Sequence, residues 1–436
     1  STHATSGLGQ ASCASCHIDG RMDQLAWDLG DPSGDMKSFN QTCINDGPCV
    51  DWHAMKGPMS TQTLLGLVGT EPLHWRGDRE DLAAFNGAFE SLLGDDVQLT
   101  DDEMMQFDAF VTTLTFVPNP FRNMDGSLNT QLPNGGNAAQ GEVLFGGALG
   151  RDTEKGQGFS CIGCHALPTG TNSEILAPLQ AGGITQNAKT AQLRSVYDKV
   201  GFVASADEPS NKGFGLIHDG SFDTLDNFLN FFFNPTEQEA LDLEAFLLSV
   251  SSDSHPAVGV QTTIGSNKPF DPDQAALIEQ MIDLASSNVV GLVVKGVQDE
   301  IHRGYSYIAG DQFQSDRAKE TVTTDELLGG AGLGSALTFT VVPAGSQVRI
   351  GIDRDEDGFF DRDELDAGSD PADPKSTPDN VCAADLNDDG IVGAADLLSL
   401  LVQWGTDPGG PPDFDGDGIV GASDLLVLLV NWGPCP

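Results

Sequence analysis

Apolar residues recur at helical spacing, with charged residues between them, from Asp81 to Leu93 and again from Asp101 to Leu114. Two helices are predicted in the first 120 residues. Ahead of them the chain is punctuated by Asp-Pro, Asp-Gly and Gly-Pro pairs, which turn a chain rather than extend an element. Residues 121–137, rich in Asn, Gly and Pro, read as a linker. Helical patterning resumes from Ala138 to Phe145, and Leu225 to Val250 offers two more helices before a Ser-Ser-Asp-Ser break. Beyond Ala257 the texture changes. One helix, Asp271 to Ser286, precedes Val289 to Val297 and Leu337 to Val342, apolar runs rich in Val that predict strands. The tail alternates acidic, Gly-containing loops with leucine-rich helices.

This pattern predicts a multidomain chain: two mainly α domains at 1–120 and 138–256, a small α+β domain at 257–352, a loop and linker at 353–381, and a loop–helix module at 382–436. A length of 436 residues has room for them. With 65 acidic against 21 basic residues, the formal charge of -44 excludes an electrostatic nucleic-acid binder. No apolar run approaches the roughly 18 to 20 residues of a membrane span. No basic-then-apolar leader precedes Ser1, so the chain is expected to be either cytosolic or numbered after a removed signal.

The cysteines decide between these. Cys13, Cys16 and His17, and again Cys161, Cys164 and His165, have the spacing of c-type haem attachment. Two thiols flanking two residues at the start of a helix can reach both vinyl groups of one porphyrin edge, and the next residue places its imidazole under the iron as proximal ligand. The bland alternatives are a zinc half-site and a redox dithiol. Against zinc, the motifs lie far apart and each carries its own His; against a dithiol, the adjacent His recurs. Two covalent haem c groups are expected. Such attachment happens outside the cytoplasm, which predicts a secreted protein, extracellular, at the cell surface or periplasmic. The remaining cysteines should then pair, Cys43 with Cys49 and Cys382 with Cys435.

Three loops carry a calcium pattern. Asp353, Asp355, Asp357, the Phe359 carbonyl, Asp361 and Glu364, with Gly358 at the turn, match an EF-hand-like loop. Alternate residues supply the oxygens that a hard cation wants. Asp385, Asn387, Asp389, the Ile391 carbonyl and Asp396 follow, repeated as Asp413, Asp415, Asp417, the Ile419 carbonyl and Asp424, each with a leucine-rich helix and a Trp-Gly behind it. An acidic surface loop would explain any one of these; three together point to bound calcium, which would also relieve self-repulsion. Residues 382–436 resemble a type I dockerin module, whose role is to dock onto a cohesin. This copy differs in closing inside a Cys382–Cys435 clasp. A cohesin-like partner or self-assembly is expected.

Between the haem motifs run His53-Ala-Met-Lys-Gly57-Pro58, Ser60 to Leu67 and Leu73-His74-Trp75-Arg76-Gly77-Asp78; after the second come Lys189-Thr190, Leu193-Arg194-Ser195 and His218-Asp219-Gly220-Ser221. Over about residues 7–255 the chain resembles the bacterial di-haem cytochrome c peroxidase and MauG-like superfamily. The resemblance implies two mainly α cytochrome c domains packed pseudo-symmetrically, with His17 and His165 as proximal ligands. It makes His53 the distal ligand of the first haem, with His74 and Met59 as local competitors. The family's Met at the second haem is missing: no Met lies between Met124 and Met281, and the aligned position is near Phe232. His218 is the nearest candidate there, with Tyr197, His255, His302 and His3 as alternatives.

Phe85 stands in the place of the peroxidase Gln, and the Asn-Pro-x-Glu context of its Glu is absent, although Glu90 lies close in sequence. A bis-ligated haem without a pocket acid suits electrons rather than peroxide. The sequence therefore predicts a secreted di-haem electron-transfer protein serving a redox partner protein or an extracellular acceptor. The alternatives are a peroxidase or MauG-like oxidoreductase, and a haem-bearing subunit of a conducting filament.

Overall fold

Two Thr-x-x-Glu sequences, at Thr100 and Thr236, start the longest helices of the first 256 residues. In each, the threonine oxygen accepts the backbone N–H of the glutamate, whose carboxylate accepts the threonine N–H in return. The computed structural model describes residues 11–35, 54–55, 57–147, 160–176, 187–194, 196–200, 216–265, 271–298, 300–378, 382–387 and 389–435. They belong to two units, residues 1–256 and 257–436. Among them no helix is long and apolar enough to cross a membrane.

The first unit holds two-residue strands and short helices: β1 (Ala26–Trp27), β2 (Met59–Ser60), α1 (Gly87–Ser91), α2 (Asp101–Val111), α3 (Ala138–Gly146), α4 (Cys161–Cys164), β3 (Ile175–Leu176), β4 (Ala188–Lys189), α5 (Leu225–Phe233) and α6 (Glu237–Leu248). Among the described residues, Phe145 of α3, Leu229 of α5 and Leu243 and Phe246 of α6 make its largest core. Gly141 lets α3 lie on α6, since a Cβ there would stand 1.9 Å from the Asp242 carbonyl oxygen. Residues 121–137, expected as a linker, are packed instead. Leu132 is buried, and the Asn119 amide just before them donates to the carbonyls of Leu248 and Val250. Their Asn and Gly content serves turns such as Asn123–Ser127, so polarity here marks hydrogen bonding within a fold.

In the second unit six antiparallel strands form one sheet, in the order β5-β10-β6-β7-β8-β9. They are β5 (Gln261–Ile264), β6 (Gly291–Gln298), β7 (Ile301–Ala309), β8 (Gln312–Ser315), β9 (Thr321–Thr323) and β10 (Leu337–Val342). Helix α7 (Pro272–Ser286) connects β5 to β6, its start fixed by the Asp271 cap and Pro272. Leu292, Val294, Phe339, Ile278 and Met281 are buried in the core. Helix α8 (Thr324–Gly330) follows β9, and α9 (Gln347–Gly351) approaches β7 closely enough that a Cβ on Gly304 would lie 2.0 Å from the Gly351 carbonyl oxygen. Then come α10 (Asp361–Ala367), β11 (Ile391–Val392), α11 (Ala394–Val402), α12 (Ala422–Val430) and β12 (Gly433–Pro434). The tail has a five-residue core, Ala384, Val392, Leu400, Val420 and Leu428, closed by the Cys382–Cys435 disulfide with its Cα atoms 5.5 Å apart.

Candidate functional site

Cys13 opens a single 3-10 turn and Cys161 opens α4, and in both cases the histidine backbone N–H donates to the first cysteine's carbonyl at 2.8 Å. The two histidines share one backbone conformation, φ -94 and ψ 66 at His17 and φ -96 and ψ 62 at His165. Their rings are anchored alike. His17 Nδ1 lies 2.7 Å from the Gln62 carbonyl oxygen, and His165 Nδ1 lies 2.9 Å from that of Gly170 and 3.0 Å from that of Ala191. A carbonyl only accepts, so Nδ1 carries the proton in both rings and the Nε2 lone pair is left to bind a metal. Burial lowers both imidazole pKa values, although the carbonyl bonds oppose it, so both rings are neutral near pH 7. The donor set, two thiols within one turn and a neutral imidazole with a fixed tautomer, fits covalently attached haem at each motif.

The frame around each histidine is built twice. Gln62 follows β2, which pairs with β1; Ala191 follows β4, which pairs with β3. Two tight turns repeat as well, bridging Leu73 to Arg79 and Leu216 to Phe222. Each has left-handed residues at matching places: His74 (φ 75) and Gly77 (φ 62) in one, Ile217 (φ 59) and Gly220 (φ 70) in the other. In this register Trp75 corresponds to His218, and the copies exchange partners. Ser60 N–H donates to the His218 carbonyl at 2.8 Å, and Lys189 N–H donates to the Trp75 carbonyl at 2.7 Å. The two rings meet with centroids 6.2 Å apart, and Trp75 Nε1 donates to the Ser60 carbonyl at 2.6 Å. Sequence reasoning had no role for Trp75. The signal that could have found it is the alignment of Met59–Leu67 with Ala188–Val196.

Arg194 fastens these copies together. Its Nη1 lies 2.6 Å from Asp253 Oδ1, its Nη2 donates to the Gly66 carbonyl, its Nε donates to Gln192 Oε1 at 3.0 Å, and its guanidinium lies 5.3 Å from the centre of the Phe116 ring.

The other expected haem-site residues are dispersed. His53 and His3, like Cys43 and Cys49, lie outside the described residues. His74 Nδ1 is 2.7 Å from Asp78 Oδ1 and its ring meets Phe85 edge-on; burial would raise the Asp78 carboxyl, but the His74 bond and the charges of His74, Arg76 and Arg79 hold it far below the carboxylate range. Met59 is half-buried in β2. Tyr197 is held near the Val117 carbonyl, and burial pushes its phenol up to about 12. His255 lies near Gly126 and the Asp125 charge, while His302 is exposed on β7 of the second unit. Phe232 joins Phe222, Phe228 and Phe231 in an aromatic cluster. Glu90 is exposed and accepts from Gln98 Nε2.

The three acidic loops share a turn, with left-handed Gly358 (φ 96), Gly390 (φ 83) and Gly418 (φ 82), and the following N–H of Phe359, Ile391 or Ile419 donates to Asp357, Asp389 or Asp417. Ligand atoms of Asp353, Asp355 and Asp357 gather within 4.8 Å, as do those of Asp413, Asp415 and Asp424. In the tail loops both oxygens of each last carboxylate accept backbone N–H groups: Asp396 accepts from Leu386 and Gly393, and Asp424 from Phe414, Asp415 and Gly421. Asp385 accepts from Asp389 and Gly390, and the Asn387 amide donates to Asp389.

No family model and no curated protein matches this chain. Among solved structures it is similar to a chain of Kuenenia stuttgartiensis hydrazine synthase, studied under 20 bar xenon, at 18% identity and a TM-score of 0.38 over 56% of this chain and 83% of that one.

Proposed function

We propose that this chain is a secreted di-haem redox protein, in which Cys13, Cys16 and His17 hold one covalent haem and Cys161, Cys164 and His165 the other. It passes single electrons to or from a redox partner protein or an extracellular acceptor. One observation carries this reading: in both motifs a backbone carbonyl fixes the histidine Nδ1–H, and Nε2 is left as the donor. A carbonyl acceptor sets the tautomer, orients the ring and raises its basicity toward iron. When bound, each haem supplies a one-electron iron couple.

The chain's own residues attach the group, orient its axial imidazole and pack the junction between the two copies. Phe85, which the peroxidase resemblance puts in the place of its acid–base Gln and which packs edge-on against His74, and Glu90, which accepts from Gln98, support electron transfer over peroxide reduction. The Cys382–Cys435 disulfide supports an oxidising compartment. The duplicated loop–helix tail supports a calcium module of the type I dockerin kind, with a cohesin-like partner or a second copy as its target.

Intact mass of the native protein and its reduced pyridine spectrum test the reading. Two haem additions are expected, and His17→Ala and His165→Ala should each perturb one haem spectrum. A mass excess of one haem or none would refute it. Steady peroxide turnover on the order of 10 per second would move the function to the peroxidase class.

A further inference from the structure

The structure assigns to the loop from Asp353 to Glu364 a site for a hard divalent cation of calcium's size, which pins α10 to the sheet; this inference does not rest on the redox reading. Glu364 is the key residue. It is 0% exposed, and although its Oε1 accepts from the Ser369 hydroxyl at 3.3 Å, its Oε2 is buried without a partner. Its carboxylate is coupled to the charges of Asp355 and Asp357, whose own Oδ2 atoms are likewise buried and unpaired. Asp353, also buried, has a ligand atom within 4.8 Å of those of Asp355 and Asp357. Carboxylate oxygens are not left dry and unpaired unless a counter-charge satisfies them. The loop's own cations do not do so: Arg354 pairs with Asp361 at 3.2 Å, and Arg362 pairs with Asp366.

That pairing also sets the ligand list. Asp361 already holds a cation: one oxygen accepts from the Arg354 guanidinium and the other from the Arg354 backbone N–H at 2.9 Å, which removes it from the set expected from the sequence, whereas Asp353 accepts only the backbone N–H groups of Glu356 and Gly358 and its charge stays uncompensated. What remains is Asp353, Asp355, Asp357, the Phe359 carbonyl and Glu364, all oxygen donors. A buried terminal glutamate able to offer two oxygens suits the six to eight ligands of calcium better than the strict octahedron of magnesium.

The ion's mechanical role follows from where α10 is tied. Arg362 N–H donates to the Asp316 carbonyl at 3.0 Å, Ala318 N–H donates to Asp363 at 2.7 Å, and Arg317 pairs with Asp366 at 2.7 Å. These bonds join α10 to the β8–β9 turn, and the Asp316 carboxylate reaches Arg303 and Gly304 of β7. A cation gripped by Glu364 and the three aspartates therefore couples loop, helix and sheet. The tail loops differ, because among the described residues none of their carboxylate oxygens is buried without a partner.

The test is hydrogen exchange on the full chain, in chelator, with Ca²⁺ and with Mg²⁺, read in peptides covering 315–320 and 361–369. Ca²⁺ should slow exchange in both segments, with Mg²⁺ much weaker. Glu364→Gln should raise the Ca²⁺ midpoint of this response about tenfold or more, while Asp361→Asn stays within about threefold. Equal exchange in chelator and Ca²⁺, an unchanged midpoint in Glu364→Gln, or an equal response to Mg²⁺ would overturn the assignment. If Glu364→Gln does not fold by circular dichroism, the wild-type comparison decides alone.

Discussion

Replacing Arg194 with Met keeps most of the aliphatic stem and removes the guanidinium that ties the two haem-motif frames together. The side chain is 7% exposed and that of its ion-pair partner Asp253 27%, so the loss divides unevenly. The Gly66 carbonyl loses a charge-assisted donor in a buried place, which costs about 2 kcal/mol. Asp253 can rehydrate, so its pairing contributes about 1 kcal/mol. Losing the cation–π contact with Phe116 adds about 0.5 kcal/mol, and Met recovers a similar amount by removing a buried charge. The net is about 3 kcal/mol, or about 6 to 12 °C in Tm for a unit of this size.

Urea unfolding of the full chain by far-UV circular dichroism, with Arg194→Met, Asp253→Asn and the double variant, measures it; the cycle should return a coupling of about 1 kcal/mol. Gly66 and Arg194 follow Gln62 and Ala191 closely in sequence. Loosening them should therefore weaken the Nδ1 bonds of His17 and His165 and raise both haem midpoint potentials. A stability loss below about 1 kcal/mol, with coupling near zero, would refute the view that this arginine joins the copies.

Gly141→Ala should destabilise the first unit by about 2 kcal/mol or more, because its Cβ would meet the Asp242 carbonyl oxygen at 1.9 Å and force α3 from α6; denaturant titration measures it. Burial lowers the Lys189 ammonium from 10.5 to about 8. Between those values the unfolded chain binds more protons, so this group's contribution to stability is complete above 10.5 and lost as pH falls through 8. Lys189→Met should flatten that part of the profile of unfolding free energy against pH. Removing the Cys382–Cys435 disulfide, which spans 53 residues, should destabilise the tail by about 4 kcal/mol and expose it to limited proteolysis while the haem spectra stay unchanged.

The two Cys-x-x-Cys-His motifs are legible in the sequence because the covalent attachment proposed for them would fix both residue types and spacing. Their second ring of support is not. The acceptors at Gln62 and Ala191 are backbone carbonyls, which any residue supplies, 45 and 26 residues beyond the histidines they hold. Strand β7 escaped the pattern because its centre, Gly304 to Tyr307, is buried on both faces, which erases the alternation that marks a half-exposed strand. The three acidic loops are plain in their spacing. What distinguishes the first of them, the buried oxygen of Glu364 and the diversion of Asp361 to Arg354, depends on tertiary packing that spacing does not encode.

The crossed bonds from Ser60 to His218 and from Lys189 to Trp75 make each frame a component of the other. Cut within residues 121–137, either fragment would lose a hydrogen-bond partner from both its strand and its turn. The halves are thus expected to fold as one unit. Because both bonds run from backbone to backbone, they constrain the path of the chain and not the identity of its side chains, so either half can change in sequence as long as its strand and turn keep their course.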